Sequence, residues 1–174
     1  MSNAMQSTPV YQEYAHIPVV ASSHIVVLEH EDDAVLENIH LQLGAERPYQ
    51  LLIQPHADQH SLDVIQQALG QYLTQAKAGI HTVVVGSERF IWQMQQVLVQ
   101  HGFMQGEYSL ILSGQPQKSL YCVHCSQLLV TTENEYCHCE QCGVFLLIRT
   151  HFSQRLGAYM GVCANAHQPM GESA

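Results

Sequence analysis

The apolar positions of this chain change period as it is read. Residues 5–22 are polar and proline-containing with no sustained period, which predicts an irregular or partly disordered arm. Ile25-Val26-Val27-Leu28 is a short β-branched run of the kind that forms a buried strand. Asp33 then offers a helix cap, and Val35, Leu36, Ile39 and Leu43 fall on one helical face before Gly44. Tyr49–Ile53 predicts a second strand. Ser61 offers the next cap, followed by Leu62, Ile65, Leu69, Tyr72, Leu73 and Ala76 at helical spacing with Gly79 as the stop. Thr82–Val85 predicts a third strand, Ile91, Met94, Val97 and Leu98 a third helix from Ser87 to Gly102, and Tyr108–Leu112 a fourth strand. Strand and helix alternating at this interval predict a mostly parallel sheet of about four or five strands, with helices on both faces and right-handed crossovers.

After the turn-rich Ser113-Gly114-Gln115-Pro116 the character changes, because every cysteine lies beyond it. The expected organisation is an irregular N-terminal arm over 1–22, an α/β Rossmann-like domain over 23–113, a cysteine module with an amphipathic tail over 119–163, and a disordered C-terminus over 164–174. Met1-Ser2-Asn3-Ala4 ahead of Met5 reads as a cloning scar. In the tail, Phe152, Leu156, Tyr159 and Met160 fall at i, i+4, i+7 and i+8, a stripe that predicts a helix packed on its own domain or a partner-binding helix.

Composition adds two constraints. A hydrophobic content of 47% supports a proper core. No apolar run approaches the roughly 18 residues of a membrane span, and no signal-peptide layout is seen, so a cytoplasmic location is expected. Six Lys and Arg face fifteen Asp and Glu, and the first 115 residues hold only Arg47, Lys77 and Arg89. Nucleic acid and anionic lipid are therefore disfavoured as partners, and a basic or neutral protein surface is favoured. The same acidity would also serve solubility alone.

The chemistry lies in Cys122-Val-His-Cys125 and Cys139-Glu-Gln-Cys142-Gly143, two CxxC units separated by thirteen residues. Two intervening residues let both thiolates reach one ion from a single tight turn, and the longer spacer makes a hairpin that brings the second turn opposite the first. Cys122, Cys125, Cys139 and Cys142 are therefore the expected metal ligands. Gly143 suits the positive φ such a turn needs. Cys137 has one residue between it and Cys139, a poorer pairing, and reads as a small packing residue, whereas Cys163 reads as a structural or an exposed thiol. Zn²⁺ is the expected ion, with Fe at the same four thiolates as the alternative. Rubredoxin-type turns carry Gly after each second ligand and Pro in the second turn. Ser126 and Glu140 stand there instead, which favours zinc. Lys118 or Arg149 is placed to offset the charge of four thiolates.

The α/β half lacks nucleotide-binding chemistry. A dinucleotide site needs glycines after the first strand so that backbone N–H groups approach the pyrophosphate. This chain has Glu29-His30-Glu31-Asp32-Asp33. His56, Asp58 and His60 could ligate a metal but read as a solvated loop. No nucleophile or metalloprotease motif occurs, so no catalytic residue is assigned.

The knuckle Cys139-Glu-Gln-Cys142-Gly143, the run Val144–Ile148, and the string Arg149-Thr-His-Phe152-Ser-Gln-Arg155-Leu-Gly-Ala-Tyr159-Met-Gly-Val162 resemble the C-terminal region of the DmmA-like family of dimethylamine monooxygenase subunits. The resemblance covers 120–162 and extends more loosely over 24–112, which look like a reduced nucleotide-binding half of a ferredoxin-reductase-like protein. It implies a cytoplasmic accessory component of an NADPH-dependent system oxidising secondary methylamines. The partners it implies are a haem-type oxygenase and a flavin and iron–sulfur reductase. It also implies that the four cysteines hold the metal, as either a docking brace or a rubredoxin-type electron carrier. Outside this family, the same cysteines would fit an unrelated zinc-ribbon interaction protein.

Overall fold

Four strands carry the first part of the chain in a computed structural model that describes residues 9–44, 47–56, 58–114 and 116–166. They are β1 (Ser23–Leu28), β2 (Tyr49–Ile53), β3 (Ile80–Gly86) and β4 (Tyr108–Leu112), separated by helices α1 (Asp33–Leu43), α2 (Gln59–Thr74) and α3 (Glu88–Gln100). The order is β2-β1-β3-β4 and every pairing is parallel, as the alternating pattern predicts. β1 and β3 are central and buried on both faces, which is why they read as unbroken β-branched runs rather than alternating ones. Val26, Leu28, Val83, Val85 and Ile111 pack against Val35, Ile39 and Leu43 of α1. Right-handed crossovers put α2 and α3, which pack on each other, on the opposite face.

Two helix starts differ from the sequence reading. Asp32 caps α1, accepting from the N–H groups of Ala34 (2.9 Å) and Val35 (3.3 Å), so Asp33 is the first helical residue. Asp58 caps α2 through the Ser61 N–H at 2.7 Å, and Ser61 is buried inside the first turn. In both places a carboxylate upstream of the expected residue out-competes it, as a charged acceptor at a helix N-terminus should.

The segment ahead of β1 is tied down from Tyr11 onward. It forms a 3-10 turn at Tyr14–His16 and buries Ile17 in the α1-side core. Gln12 pairs with Leu110 of β4 through both its backbone N–H and its side-chain oxygen, each at 2.8 Å. At the N-terminal end of the sheet His24 and His81 are register neighbours, with ring centroids 6.1 Å apart. His24 Nε2 donates to the Pro18 carbonyl and His81 Nε2 hydrogen-bonds Ser109 Oγ, both at 2.9 Å. Both rings are buried.

The second unit is a five-stranded sheet of β5 (Lys118–Cys122), β6 (Leu128–Thr131), β7 (Tyr136–His138), β8 (Phe145–Ser153) and β9 (Ala158–Cys163), in the order β6-β5-β9-β8-β7. All pairs are antiparallel except β5 with β9. The stripe expected to form a helical tail is instead a hairpin. Phe152 faces Tyr159 across β8 and β9 with ring centroids 5.0 Å apart, and Leu156 lies in the turn beside Gly157, whose φ is +59°. A seven-residue separation places two residues on one helical face, and a short hairpin also brings them opposite each other. The β-rich composition decides for the hairpin. The cloning scar over 1–4 and the expected disorder over 167–174 lie outside the described residues, whereas Ala164 still pairs with Phe145 at 2.9 Å.

Candidate metal centre

Two turns of the same design build the cysteine cluster. In the first, Cys122 N–H donates to the Gln127 carbonyl (2.9 Å) and Ser126 N–H donates back to the Cys122 carbonyl (2.8 Å). In the second, Cys139 N–H donates to Val144 (2.9 Å) and Gly143 N–H donates to Cys139 (2.8 Å). Each turn reverses the chain within six residues, so the two thiols, with two residues between them, point into one space. The residue after the second cysteine must adopt positive φ, +72° at Gly143 and +62° at Ser126. Gly143 adopts this conformation without a Cβ penalty. Ser126 is the one non-glycine residue with positive φ among the described residues, and its type gives no sign of this.

The four sulfurs of Cys122, Cys125, Cys139 and Cys142 lie within 4.8 Å of one another. Cys122 Sγ is 3.8 Å from Cys142 Sγ, and Cys125 Sγ is 3.6 Å from Cys139 Sγ. Those separations are too long for a disulfide, and all six cysteines are free thiols. They match a tetrahedron around an ion, since zinc–sulfur bonds of about 2.3 Å give edges of about 3.8 Å. Cys122 and Cys139 are buried against Leu120, Val144, Leu146 and Ile148, whereas Cys125 and Cys142 are half-buried at the rim. The donor set and its dimensions fit zinc, and four thiolates would suit iron equally.

The thiols do not ionise alike. Burial opposes the Cys139 thiolate, but N–H groups of Cys142 and Gln141 and the neighbouring thiols outweigh it and bring Cys139 down to about 7. Burial pushes Cys125 up to about 12, with the surrounding sulfurs adding to the rise. At Cys142 the Val144 N–H favours the thiolate, yet burial and the adjacent sulfurs hold the thiol up. The thiolate is thus favoured at Cys139 and resisted at Cys125 and Cys142. A divalent cation among the sulfurs would supply what the others need to lose their protons.

Cys137 is half-buried against the same core, its thiol raised by burial first and by Cys139 second, and it stands outside the four. Cys163 donates to Asn165 Oδ1 at 3.5 Å. His124 and His138 are exposed, with His138 lying on the Phe145 ring. Lys118 does not serve the thiolates. Its Nζ donates to Asn134 Oδ1 at 2.8 Å and sits over the Tyr159 ring. Of the His56–Asp58–His60 loop, Asp58 is committed to its helix cap, which lowers its carboxyl through the Ser61 N–H.

At the corner where a dinucleotide fold holds phosphate, a carboxylate of the chain itself meets the start of α3. Strands diverge in connectivity between β1 and β3, the switch point where α/β sheets take ligands. There the Glu29 carboxylate accepts from Ser87 N–H (2.5 Å) and Ser87 Oγ–H (2.9 Å) at the start of α3. Gly86 makes room for it, because a Cβ there would come within 2.7 Å of the Glu29 Cβ. The acidic turn reads in sequence as a repellent of phosphate, and the contact of Glu29 with Ser87 is visible only in the fold.

Against known proteins, residues 119–162 match the family model for the dimethylamine monooxygenase subunit DmmA-like C-terminal domain. The heme-dependent oxidative N-demethylase delta subunit of Ectopseudomonas mendocina (strain ymp) is 34% identical over 163 residues, covering 94% of this chain and 91% of that protein. No solved structure matches. Among the described residues no helix is long and apolar enough to cross a membrane.

Proposed function

Because this chain belongs to the dimethylamine monooxygenase subunit DmmA-like family, we propose that it is the metal-binding accessory subunit of a multicomponent, heme-dependent oxidative N-demethylase. In this reading Cys122, Cys125, Cys139 and Cys142 hold one Zn²⁺, and the braced C-terminal unit docks the oxygenase and reductase components. Amine oxidation with electrons from NADPH belongs to those components, which also choose a secondary methylamine such as dimethylamine. The complex works in the cytoplasm.

The observation that carries this reading is the cluster of four sulfurs within 4.8 Å of one another. Four protein donors fill every position of a zinc site, leaving none for water or substrate, which is the arrangement of a structural and not a catalytic ion. Bound zinc would offset part of the mutual repulsion of the thiolates and clamp β5 to the turn before β8. Folding of this small sheet would then be linked to metal binding. Glu29 at Ser87 supports leaving the nicotinamide cofactor to another subunit.

One feature favours a second reading, an iron-loaded electron carrier. Cys125 and Cys142 are only half-buried, so a partner's redox centre could come near. Metal analysis with a visible spectrum separates the two. The expected result is one zinc per chain and a colourless protein, and stoichiometric iron with visible absorption would transfer the proposal to electron transfer. Cys139→Ser should release the ion and loosen residues 116–166 while the α/β unit stays folded. Full metal retention in that variant would remove the ligand assignment.

A further inference from the structure

The solvent side of α1 is not an ordinary polar helix face. Asp33, Glu37 and Leu41 form one column along it, and Leu36, His40 and Gly44 form the next. Together they line an open groove of about 620 Å³. Leu36 forms its floor and continues into the core cluster beneath, whereas Leu41 is 72% exposed. On that wall the Tyr49 hydroxyl hydrogen-bonds His40 Nε2 at 2.8 Å. An aliphatic floor with an exposed leucine at its edge gains by being covered.

Charge defines what covers it. Five carboxylates lie from Glu29 to Glu37, and no Lys or Arg occurs before Arg47. Glu29 is held by Ser87 and Asp32 by its own helix, which leaves Glu31, Asp33 and Glu37 as an exposed acidic rim. Asp33 and Glu37 stand one helical turn apart, so they match two cations at the same spacing, about 6 Å. No helical segment of this sequence supplies such a pair. Its most closely spaced bases, Arg149 and Arg155, are six residues apart, so neither its own N-terminal residues nor a second copy offers Lys or Arg at i and i+4.

We propose that the α1 groove docks a basic amphipathic helix of another subunit of the N-demethylase. Its aliphatic side chains enter between Leu36 and Leu41, and its Lys or Arg residues one turn apart meet Asp33 and Glu37. This rests on the accessory-subunit reading above and assigns where one contact is made. Apolar burial supplies the affinity, and the rim charges set register and speed of encounter.

The test titrates the full-length, metal-loaded chain against each companion subunit, purified singly, by calorimetry. Glu37→Lys combined with Leu41→Gln should weaken binding to one companion by roughly tenfold or more. Circular dichroism and Trp92 fluorescence should stay at their parental values. Parental binding should also weaken with rising salt. Unchanged affinity in the double variant overturns the groove. If Glu133→Lys in the C-terminal unit weakens binding instead, the accessory-subunit reading stands and the groove does not. If the unaltered chain binds no companion, both fall. A homodimer that dissociates on Leu41→Gln would overturn the proposal in favour of a second copy as occupant.

Discussion

Ser126 occupies a backbone conformation that its side chain resists. The turn it closes is the same as the one closed by Gly143, and glycine adopts positive φ without the Cβ clash that serine meets. Ser126→Gly should therefore stabilise the C-terminal unit by about 0.5–1 kcal/mol. The measurement is the denaturation midpoint of that unit with metal bound, and a fall in stability would mean that the serine hydroxyl makes a contact worth more than the strain. The two turns show what one sequence can reveal. Cysteine spacing is dictated by the reach of two thiolates to one ion, so all four members of the cluster are legible. The positive φ at Ser126 is not, because nothing about a serine announces it, although Gly143 in the sister turn is a hint. Glu29 is legible as a charge but not as a ligand, since its partner lies 58 residues away.

Among the elements, periodicity serves the buried ones well and the small sheet poorly. β1, β3 and α1 can be read directly because a central strand must be apolar throughout and a covering helix must be apolar on one side. The β8–β9 hairpin carries a helical signature in sequence because Phe152, Leu156, Tyr159 and Met160 satisfy both geometries over so short a span. Gly161 separates them by experiment. In the hairpin a Cβ there would lie 3.1 Å from Leu146 Cδ1 and 3.2 Å from Leu120 Cγ, between two strands that cannot both retreat. Gly161→Val is expected to destabilise the unit by about 1–3 kcal/mol through overpacking. Leu156→Ala, in the turn, should cost less, whereas a helix with Leu156 in its apolar stripe would show the reverse order. Thermal melts of both variants decide it.

For the molecule as a whole, acid should act on the α/β unit through the buried imidazole of His81. Burial first and the His24 ring second bring His81 down to about 4 from 6.5, against a weaker opposing pull from Glu107 and the Gly106 carbonyl. Above pH 6.5 neither the folded nor the unfolded chain carries the proton. Between 6.5 and about 4 the unfolded chain binds it and the folded chain does not, so stability falls as pH drops through that window and levels off below it. The expected loss is about 1–2 kcal/mol after allowance for screening. Trp92, the single tryptophan and a buried residue of α3, reports this unit alone, so urea midpoints by its fluorescence at successive pH values measure it. His81→Gln should flatten the slope, and an unchanged slope would assign the acid sensitivity to other groups.

The Glu29–Ser87 contact has a consequence for any attempt to give this sheet a cofactor. Its carboxylate is a guest that can never diffuse away, and the short tether sets its effective concentration at millimolar or above. A free nucleotide would have to displace that resident before making its first hydrogen bond. Installing a glycine-rich loop alone would therefore fail, and vacating residue 29 is the change from which recovered phosphate binding must begin.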